Sequence, residues 1–383
     1  QVGIRDRYFN ETHNIARQST KQFVEKHILP YINGWEEEGG FPRELYEKAG
    51  ESGLLAVGYP EEFGGVAEDD VFMQVAISEE LMRSTSGGLV ASLGSLHIGL
   101  PPVAKWATPA IKNKVVESVL AGKKISALAI TEASGGSDVA NIQTRAVKEG
   151  DYYRVNGSKT FITSGIRADY YTVAVRTGGE GHGGISLLLI EKGMDGFTTG
   201  RNLKKMGWRA SDTAELFFDD VMVPAENLIG VENAGFFAIM SNFLSERLSL
   251  CIMAYMTGQM AYEAALAYVK EREAFGRPIG KFQVIRHKLV DMATEIEIAR
   301  EYTYRAAAKM DAGETPIKEV SMAKNFATEV SNRATHEAVQ IFGGMGFMQE
   351  SLVERLYRDN RILSIGGGTT EIMKELIAKQ IGL

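Results

Sequence analysis

The sequence predicts an α+β protein in which an N-terminal helical domain, a middle antiparallel β-domain and a C-terminal four-helix bundle follow one another. Two changes in residue pattern support this. Helical periodicity gives way near Ile125 to short runs of β-branched and aromatic residues, and it returns after Pro224. No helical pattern separates the strand segments, which favours an antiparallel sheet. The predicted domains are residues 1–124, 125–232 and 233–383.

Five helices are predicted in the N-terminal domain. Apolar residues recur at roughly helical spacing between Phe9 and Ile28, and Pro30 ends this first helix. Pro42 and Pro109 each stand where proline commonly begins a helix. The predicted helices span residues 5–29, 42–53, 69–81, 89–106 and 109–122.

Short strands are predicted in the middle domain, which ends at Pro224. Asn156-Gly157 lies between two of the runs, and this dipeptide is a strong hairpin signal. The predicted strands span residues 125–130, 152–155, 159–163, 170–176, 185–191 and 214–218.

Long amphipathic stretches return in the C-terminal domain. The glycine-rich segment 343–346 interrupts one of them and is predicted to end a helix. The predicted helices span residues 234–272, 282–312, 317–342 and 370–381.

Composition excludes several classes of protein. The 383 residues are 44% hydrophobic and 24% charged, as in a globular protein of two or three packed units. A net charge of −7 disfavours a protein devoted to nucleic acid or anionic membrane. The single cysteine, Cys251, excludes a disulfide framework. Without an apolar run of 18 residues or a signal-peptide pattern, we expect a soluble protein of a reducing compartment that binds no membrane.

Several familiar catalytic motifs are missing. The six histidines show no metal-ligand spacing, so no protein-built metal site is expected. Gly179, Gly181 and Gly184 match a dinucleotide fingerprint by letter, but a strand follows them where the fingerprint needs a helix. Few side chains can perform redox chemistry themselves, so a bound organic cofactor would have to supply it.

Six motifs in order resemble the acyl-CoA dehydrogenase family across essentially the whole chain. They are Ala129-Ile-Thr-Glu-Ala-Ser-Gly-Gly-Ser-Asp138, Gly157-Ser-Lys-Thr-Phe-Ile-Thr-Ser-Gly165, Arg272-Glu-Ala-Phe-Gly-Arg-Pro278, Gln340-Ile-Phe-Gly-Gly344, Tyr357-Arg-Asp359 and Gly366-Gly-Gly-Thr-Thr-Glu-Ile372. The resemblance implies FAD as cofactor and oxidation of the Cα–Cβ bond of an acyl-CoA to the trans-2-enoyl-CoA. Electrons would pass to an electron-transferring flavoprotein. The long-chain branch is the most similar, through residues 205–218 and 368–377.

The resemblance also predicts the catalytic residues. Many members carry the base, a glutamate, where this chain has Gly367. Long-chain and isovaleryl members place it on an earlier helix before Arg-Leu, which matches Glu246-Arg247-Leu248. Glu246 is therefore the predicted base, and the N–H of Gly367 is predicted to donate to the thioester carbonyl. Taken alone, a helical glutamate beside arginine is typical of a solvated surface.

Two groups of FAD contacts are implied, one of them from a neighbouring subunit of a homotetramer. The first comprises Thr131, Ser137, Phe161 and Thr163, and the alternative for these residues is ordinary strand-end packing. The neighbouring subunit would contribute Arg272, Phe275, Gln283, Gln340 and Gly344. Thr369 and Glu371 resemble further contacts after the glycine run.

Ser137, Arg247 and Gly366 are the predicted substrate-binding residues, although Arg247 is equally suited to a structural role. Gly366 replaces a bulky tyrosine of straight-chain members and, together with Gly367, leaves room for a methyl-branched acyl group, as in the isovaleryl branch. The similarity to the long-chain branch elsewhere suggests a deep pocket, so a medium-to-long or methyl-branched acyl group from fatty acid β-oxidation or branched-chain catabolism is expected. The alternative is a glycine run that serves unusual backbone angles. A flavin-dependent monooxygenase, an acyl-CoA oxidase and a nucleic-acid-binding relative remain alternatives. The expected compartment is a bacterial cytoplasm or a mitochondrial matrix.

Overall fold

The computed structural model describes residues 7–383. Its order of helical, β and helical regions confirms the predicted fold class. The N-terminal helices are α1 (Glu11–His27), α2 (Ile32–Glu38), α3 (Glu44–Glu51), α4 (Val71–Met82), α5 (Gly87–Leu93), α6 (Leu96–Gly99), α7 (Pro101–Trp106) and α8 (Pro109–Leu120).

Two of the helix predictions need correction. Helix α1 begins at Glu11, because the Asn10 side chain accepts from the His13 backbone N–H and caps it. Residues 5 and 6 of the predicted helix lie outside the described residues. The single helix predicted over 89–106 is wrong, since three short helices occupy this segment and Pro101, which has no N–H, begins the last. Helix α2 was not predicted.

The middle domain contains one eight-stranded sheet in the order β6-β7-β3-β2-β4-β5-β8, with β1 paired to β4. Its strands are β1 (Ser126–Ala129), β2 (Arg145–Glu149), β3 (Tyr152–Thr163), β4 (Tyr170–Arg176), β5 (Ile185–Glu191), β6 (Phe197–Thr199), β7 (Thr213–Pro224) and β8 (Leu228–Ile229). Most pairs are antiparallel, as predicted. The prediction did not include the parallel pairing of β4 with β1 and, at one residue pair, with β2.

The hairpin predicted at Asn156-Gly157 is wrong. Strand β3 continues through this dipeptide, and its register with β7 shifts between Val155 and Gly157, which makes the site a β-bulge. Gly157 has φ of 143°, and a Cβ on it would lie 2.7 Å from the Thr144 Cα. Glycine is therefore needed here for close backbone approach and not for a chain reversal.

The C-terminal domain is built on three long helices, joined by shorter elements. These are α9 (Gly235–Glu271), the small hairpin of β9 (Glu273–Ala274) and β10 (Arg277–Pro278), α10 (Gln283–Asp311), α11 (Ile317–Phe342), α12 (Leu352–Asn360) and α13 (Thr370–Gln380). The four predicted helices match α9, α10, α11 and α13 closely. Helix α12 was not predicted.

The N-terminal helices contribute to two hydrophobic cores. One core joins most of them to the sheet, whereas Phe72, Val75 and Ala76 of α4 pack into the core of the C-terminal bundle. Among the described residues, α9 and the bent pair 87–106 satisfy the length and composition of a membrane span. Apolar residues of α9 form one core cluster with α10 and α11.

Candidate active site

The glycine run 366–368 forms the turn that precedes α13. Gly367 and Gly368 have φ of +64° and +103°, which non-glycine residues rarely adopt. Thr369 then caps α13, its hydroxyl accepting from the Ile372 N–H at 3.4 Å. The backbone at two successive residues thus favours glycine, and the turn places Gly367 against α9.

Two cationic side chains hold the carbonyl oxygens of this turn. Arg247 of α9 donates from Nε to the Gly367 oxygen at 3.0 Å. Lys324 of α11 donates from Nζ to the Gly368 oxygen at 2.7 Å. Both side chains are buried. Arg247 therefore braces the turn, which is consistent with an orienting role and gives it no demonstrated contact with substrate.

Glu246 lies beside Gly367. Its Oε1 is 3.5 Å from the position that a Cβ on Gly367 would occupy. Its Oε2 is buried and has no hydrogen-bond partner within the described structure. Burial raises the pKa of this carboxyl above its ordinary value, and the neighbouring Arg247 and Lys324 charges oppose that rise. An unpaired, desolvated carboxylate of this kind is suited to accept a proton.

A side chain at position 367 would be disfavoured by a close contact as well as by the backbone angle φ. The Cβ would come within 2.6 Å of Leu250 Cδ1 and within 3.7 Å of Lys324 Cε. This space is thus occupied by residues of α9 and α11. The carboxylate of Glu246 reaches the same place from α9, and this explains in spatial terms why a missing glutamate at 367 accompanies a glutamate at 246.

Gly366 differs from its two neighbours. Its φ is not in the left-handed region, and a Cβ there would meet the Ile362 oxygen at an ordinary 3.6 Å. Backbone geometry therefore does not require glycine at this position. Of the two explanations for the glycine run, unusual φ accounts for Gly367 and Gly368 but not for Gly366.

Three of the cofactor-binding candidates on the sheet lie close together. The Thr160 N–H donates to the Thr131 oxygen at 2.9 Å, so the loop after β1 lies against the end of β3 that carries Phe161 and Thr163. Phe161 has φ of +59°, and its side chain is 67% exposed. Ser137 lies on the same loop and is exposed. An uncovered aromatic residue in a segment that also carries threonines fits a planar, partly polar cofactor.

A buried ion pair anchors this loop, and sequence reasoning missed it. Lys159 Nζ donates to Glu132 Oε1 at 2.8 Å, and the carboxylate also accepts the Gln143 and Thr144 N–H groups. Burial lowers the pKa of Lys159 to about 8, against the opposing charge of Glu132. Both residues lie within motifs of the family resemblance, but no local pattern indicated that they would pair.

The remaining cofactor candidates surround one end of the bundle. Arg272 follows α9, Gln283 begins α10, and Gln340 and Gly344 lie at the end of α11. Tyr268 and Phe342 stack with ring centroids 4.1 Å apart and tie the ends of α9 and α11 together. Phe275, on the β9–β10 hairpin, has a 95% exposed side chain, and nothing lies within 4 Å of a Cβ on Gly344. This open, aromatic and cationic surface also suits FAD.

Thr369 and Glu371 have local roles in the structure. Thr369 is the α13 cap, and Glu371 is exposed in the first turn, where backbone and Thr369 hydrogen bonds lower the pKa of its carboxyl. Their predicted contact with FAD stays a prediction. Within residues 7–383 no cluster of His, Cys, Asp and Glu side chains could hold a metal ion.

Sequence comparison defines the class of the protein. The family models for the N-terminal, middle and C-terminal domains of acyl-CoA dehydrogenase match residues 10–123, 127–221 and 233–382. The chain belongs to the acyl-CoA dehydrogenase family and is an oxidoreductase of that class. Like other members it is FAD-dependent, and the exposed surfaces described above fit that cofactor.

Individual relatives cover nearly the whole chain. The mouse mitochondrial long-chain specific acyl-CoA dehydrogenase is 39% identical over 99% of this chain and 88% of its own length. The structure of an acyl-CoA dehydrogenase from Geobacillus kaustophilus has a TM-score of 0.95 at 43% identity, covering 98% and 100% of the two chains. A structure described as the electron transferring flavoprotein of Acidaminococcus fermentans contains a chain with a TM-score of 0.94 at 36% identity, covering 98% of each.

Proposed function

We propose that this acyl-CoA dehydrogenase uses Glu246 as the base that removes the α-proton of a medium-to-long or methyl-branched acyl-CoA. The observation that carries the proposal is the position of the Glu246 carboxylate, 3.5 Å from a Cβ on Gly367 and with Oε2 buried and unpaired. Other members of the family carry their glutamate at the position of Gly367. The two arrangements would bring a carboxylate to one place, either from α9 or from the turn before α13.

The proposed chemistry divides between Glu246 and the glycine turn. The ionised carboxylate takes the α-proton, and the Gly367 N–H donates to the thioester carbonyl oxygen, where negative charge develops. Arg247 and Lys324 hold the turn that carries this N–H. FAD, held by residues that include Phe161 and Thr163, would supply the acceptor for the hydride from the β-carbon, and the product would be the trans-2-enoyl-CoA.

The substrate class is supported by Gly366. Since a Cβ at this position would meet no close neighbour, its absence leaves space that the backbone does not demand. Such space suits an acyl group branched near the β-carbon. Gly366→Tyr is expected to lower the rate with isovaleryl- and citronellyl-CoA at least about tenfold more than with octanoyl-CoA, because one lost methyl-sized space costs about 1–3 kcal/mol. Equal losses on all three would contradict this assignment.

The electron acceptor, the assembly and the compartment are part of the same proposal. The acceptor is an electron-transferring flavoprotein. This is supported by the similarity to a chain in the structure described as the electron transferring flavoprotein of Acidaminococcus fermentans. The assembly is a homotetramer in which the bundle end with Phe275 faces the FAD of a neighbouring subunit. The compartment is a bacterial cytoplasm or a mitochondrial matrix, where β-oxidation or branched-chain catabolism would use the activity.

The deciding experiment is anaerobic titration of the flavin absorbance with butyryl-, isovaleryl-, octanoyl-, palmitoyl- and citronellyl-CoA. Bleaching by the longer or branched thioesters, absent in Glu246→Gln, is the expected result. Bleaching that survives in Glu246→Gln would refute the base. Rapid reoxidation by oxygen without a protein acceptor would identify an oxidase, and bound flavin that no thioester bleaches would favour a monooxygenase.

A further inference from the structure

Lys324 is a completely buried lysine for which the proposed reaction has no direct use. It lies on α11, on the stripe of Val320, Ala323 and Ala327 that forms the buried face of this helix. Burying an ammonium group is costly unless it is well hydrogen-bonded, so a lysine at such a position needs a reason. Its nearest polar neighbours belong to the active site.

Two of its contacts place Lys324 beside the predicted reacting groups. Its Nζ donates to the Gly368 oxygen at 2.7 Å, next to the Gly367 oxygen that Arg247 holds. Its Cε lies 3.7 Å from the Cβ position of Gly367, and Glu246 Oε1 lies 3.5 Å from the same point. The lysine therefore lies close to the carboxylate, yet its hydrogen bond goes to a carbonyl.

The charged and titratable groups that act on Lys324 all lie on α9. They are Glu246, Arg247 and Cys251, and the contact from the α13 side is the backbone oxygen of Gly368. Burial lowers the pKa of Lys324 to about 8, while Glu246 acts to raise it. Lys324 in turn opposes the burial that raises the pKa of Glu246. Near pH 7 Lys324 is thus mostly protonated, and the Oε2 of its neighbour Glu246 has no hydrogen-bond partner among the described residues.

We infer that Lys324 is a positioning residue of the reaction: it holds the Gly367–Gly368 turn through the Gly368 oxygen, and its charge keeps Glu246 ionised without bonding it. A direct ion pair would make the carboxylate a weaker base, and removing the charge would let burial protonate it. Because the Lys324 ammonium bonds the Gly368 oxygen, its charge acts on Glu246 through space and not through a hydrogen bond. The inference rests on the proposed function, because it assumes that Glu246 is the base.

The test uses a thioester that can lose only its α-proton. 3,3-Dimethylbutyryl-CoA carries α-hydrogens but no β-hydrogen, so the holoenzyme cannot oxidise it. In D2O, Glu246 would take the α-proton and return a deuteron to the same carbon, with no other bond changed. Mass spectrometry of the thioester then reports the base and the glycine turn, independently of hydride transfer, between pH 6 and pH 9.

Two variants separate the charge from the hydrogen bond. Lys324→Gln keeps an N–H donor without charge, and we expect exchange to fall at least about tenfold at pH 6 but less than about threefold at pH 9, where the lysine of the wild type is itself neutral. Lys324→Met loses the donor as well, and we expect a further loss of about tenfold at both pH values. Lys318→Met, elsewhere on α11, is the matched control.

Two results would contradict the proposed role of Lys324. A wild-type profile in both flavin-bound variants would mean that Lys324 only packs. An equal loss at pH 6 and pH 9 in Lys324→Gln would show a structural role without an effect on Glu246. If Lys324→Met does not bind flavin, Lys324→Gln alone decides. Glu246→Gln in the same assay tests the proposed function separately, since exchange that survives there refutes the base whatever Lys324 does.

Discussion

The chain contains two buried glutamate–lysine neighbourhoods whose arrangements are opposite. In the middle domain Glu132 and Lys159 bond each other directly at 2.8 Å, and the carboxylate is further satisfied by two backbone N–H groups. In the C-terminal domain Lys324 bonds a carbonyl, and Glu246 Oε2 has no partner in the described structure. The same two residue types thus form a closed pair in one region and an open pair in the other, where we propose that the catalytic base lies.

The pKa values of the two carboxyl groups are shifted in opposite directions. Burial acts to raise the pKa of Glu132, but Lys159 and the hydrogen bonds to Thr144 and Gln143 outweigh it, so that the pKa falls below its ordinary value. Burial of Glu246 is not outweighed, and its pKa is raised. A paired carboxylate stabilises the fold, whereas an unpaired and desolvated carboxylate is suited to accept a proton from a substrate.

Replacing glutamate by glutamine should affect the rate of flavin reduction very differently in the two regions. Glu246→Gln is expected to lower the anaerobic rate of flavin reduction by about 10³-fold, because the base is removed, without loss of folding. Glu132→Gln should leave flavin reduction measurable in the protein that folds. Stopped-flow reduction by a turned-over acyl-CoA checks both, with the exposed Glu117→Gln as control. Comparable rate losses in the two variants would remove the distinction.

Breaking the closed pair should be the larger effect on stability. Lys159→Met leaves Glu132 buried and uncompensated, so the free energy of unfolding should fall by about 3–5 kcal/mol. The double variant Glu132→Gln/Lys159→Met should recover much of that loss, because both charges are gone. Chemical denaturation of the four proteins forms the double-mutant cycle. Losses that simply add would argue against a coupled pair.

The pH dependence of reduction should follow the open carboxylate. Glu246 acts only when ionised, so kcat/KM should rise with pH through its raised pKa and then level off. The ascending limb should lie above the pH range where an ordinary glutamate titrates. Steady-state rates in buffers of constant ionic strength test this, and a flat profile down to pH 5 would contradict a raised pKa.

The smallest expected effect is a gain in stability. Because the folded-state pKa of Glu246 is raised, the folded protein binds its proton more tightly than the unfolded chain, and stability falls as pH rises through that window. Glu246→Gln should therefore raise Tm by about 1–3 °C at pH 8 and by less at pH 5. For Glu132, with a lowered pKa, the stabilisation is instead lost on acidification. Calorimetry at both pH values measures the two trends.

Sequence patterns predicted the bundle well and the fine structure of the β-domain less well. Helices α9, α10 and α11 are long enough for apolar periodicity to define their ends within a few residues. Asn156-Gly157 was misinterpreted because glycine serves both tight turns and bulges, and only the approach of Thr144 distinguishes them. The break of residues 89–106 into three helices was missed because apolar residues continue across it, although Pro101 and Pro102 signalled a new helix start.

Within the site, comparison with the family motifs identified Glu246 and Gly367. The two residues were linked because the catalytic glutamate of many members is missing at 367 and a glutamate is present at 246. Lys324 was missed although it stands in the buried stripe of α11, where a lysine is the exception. The pairing of Glu132 with Lys159 joins residues far apart in sequence, and no local pattern encodes such a partner.

By itself the sequence determined the family, the order of helical and β regions and the residue types available for chemistry, because periodicity and motif order are local properties of the chain. Tertiary structure alone decided that Lys159 bonds a carboxylate as well as a carbonyl, whereas the hydrogen bond of Lys324 goes to a carbonyl. That choice depends on distances between helices and strands that are separate in sequence. Since desolvation and charge act through space, the reactivity of Glu246 belongs to the packed fold and not to its motif.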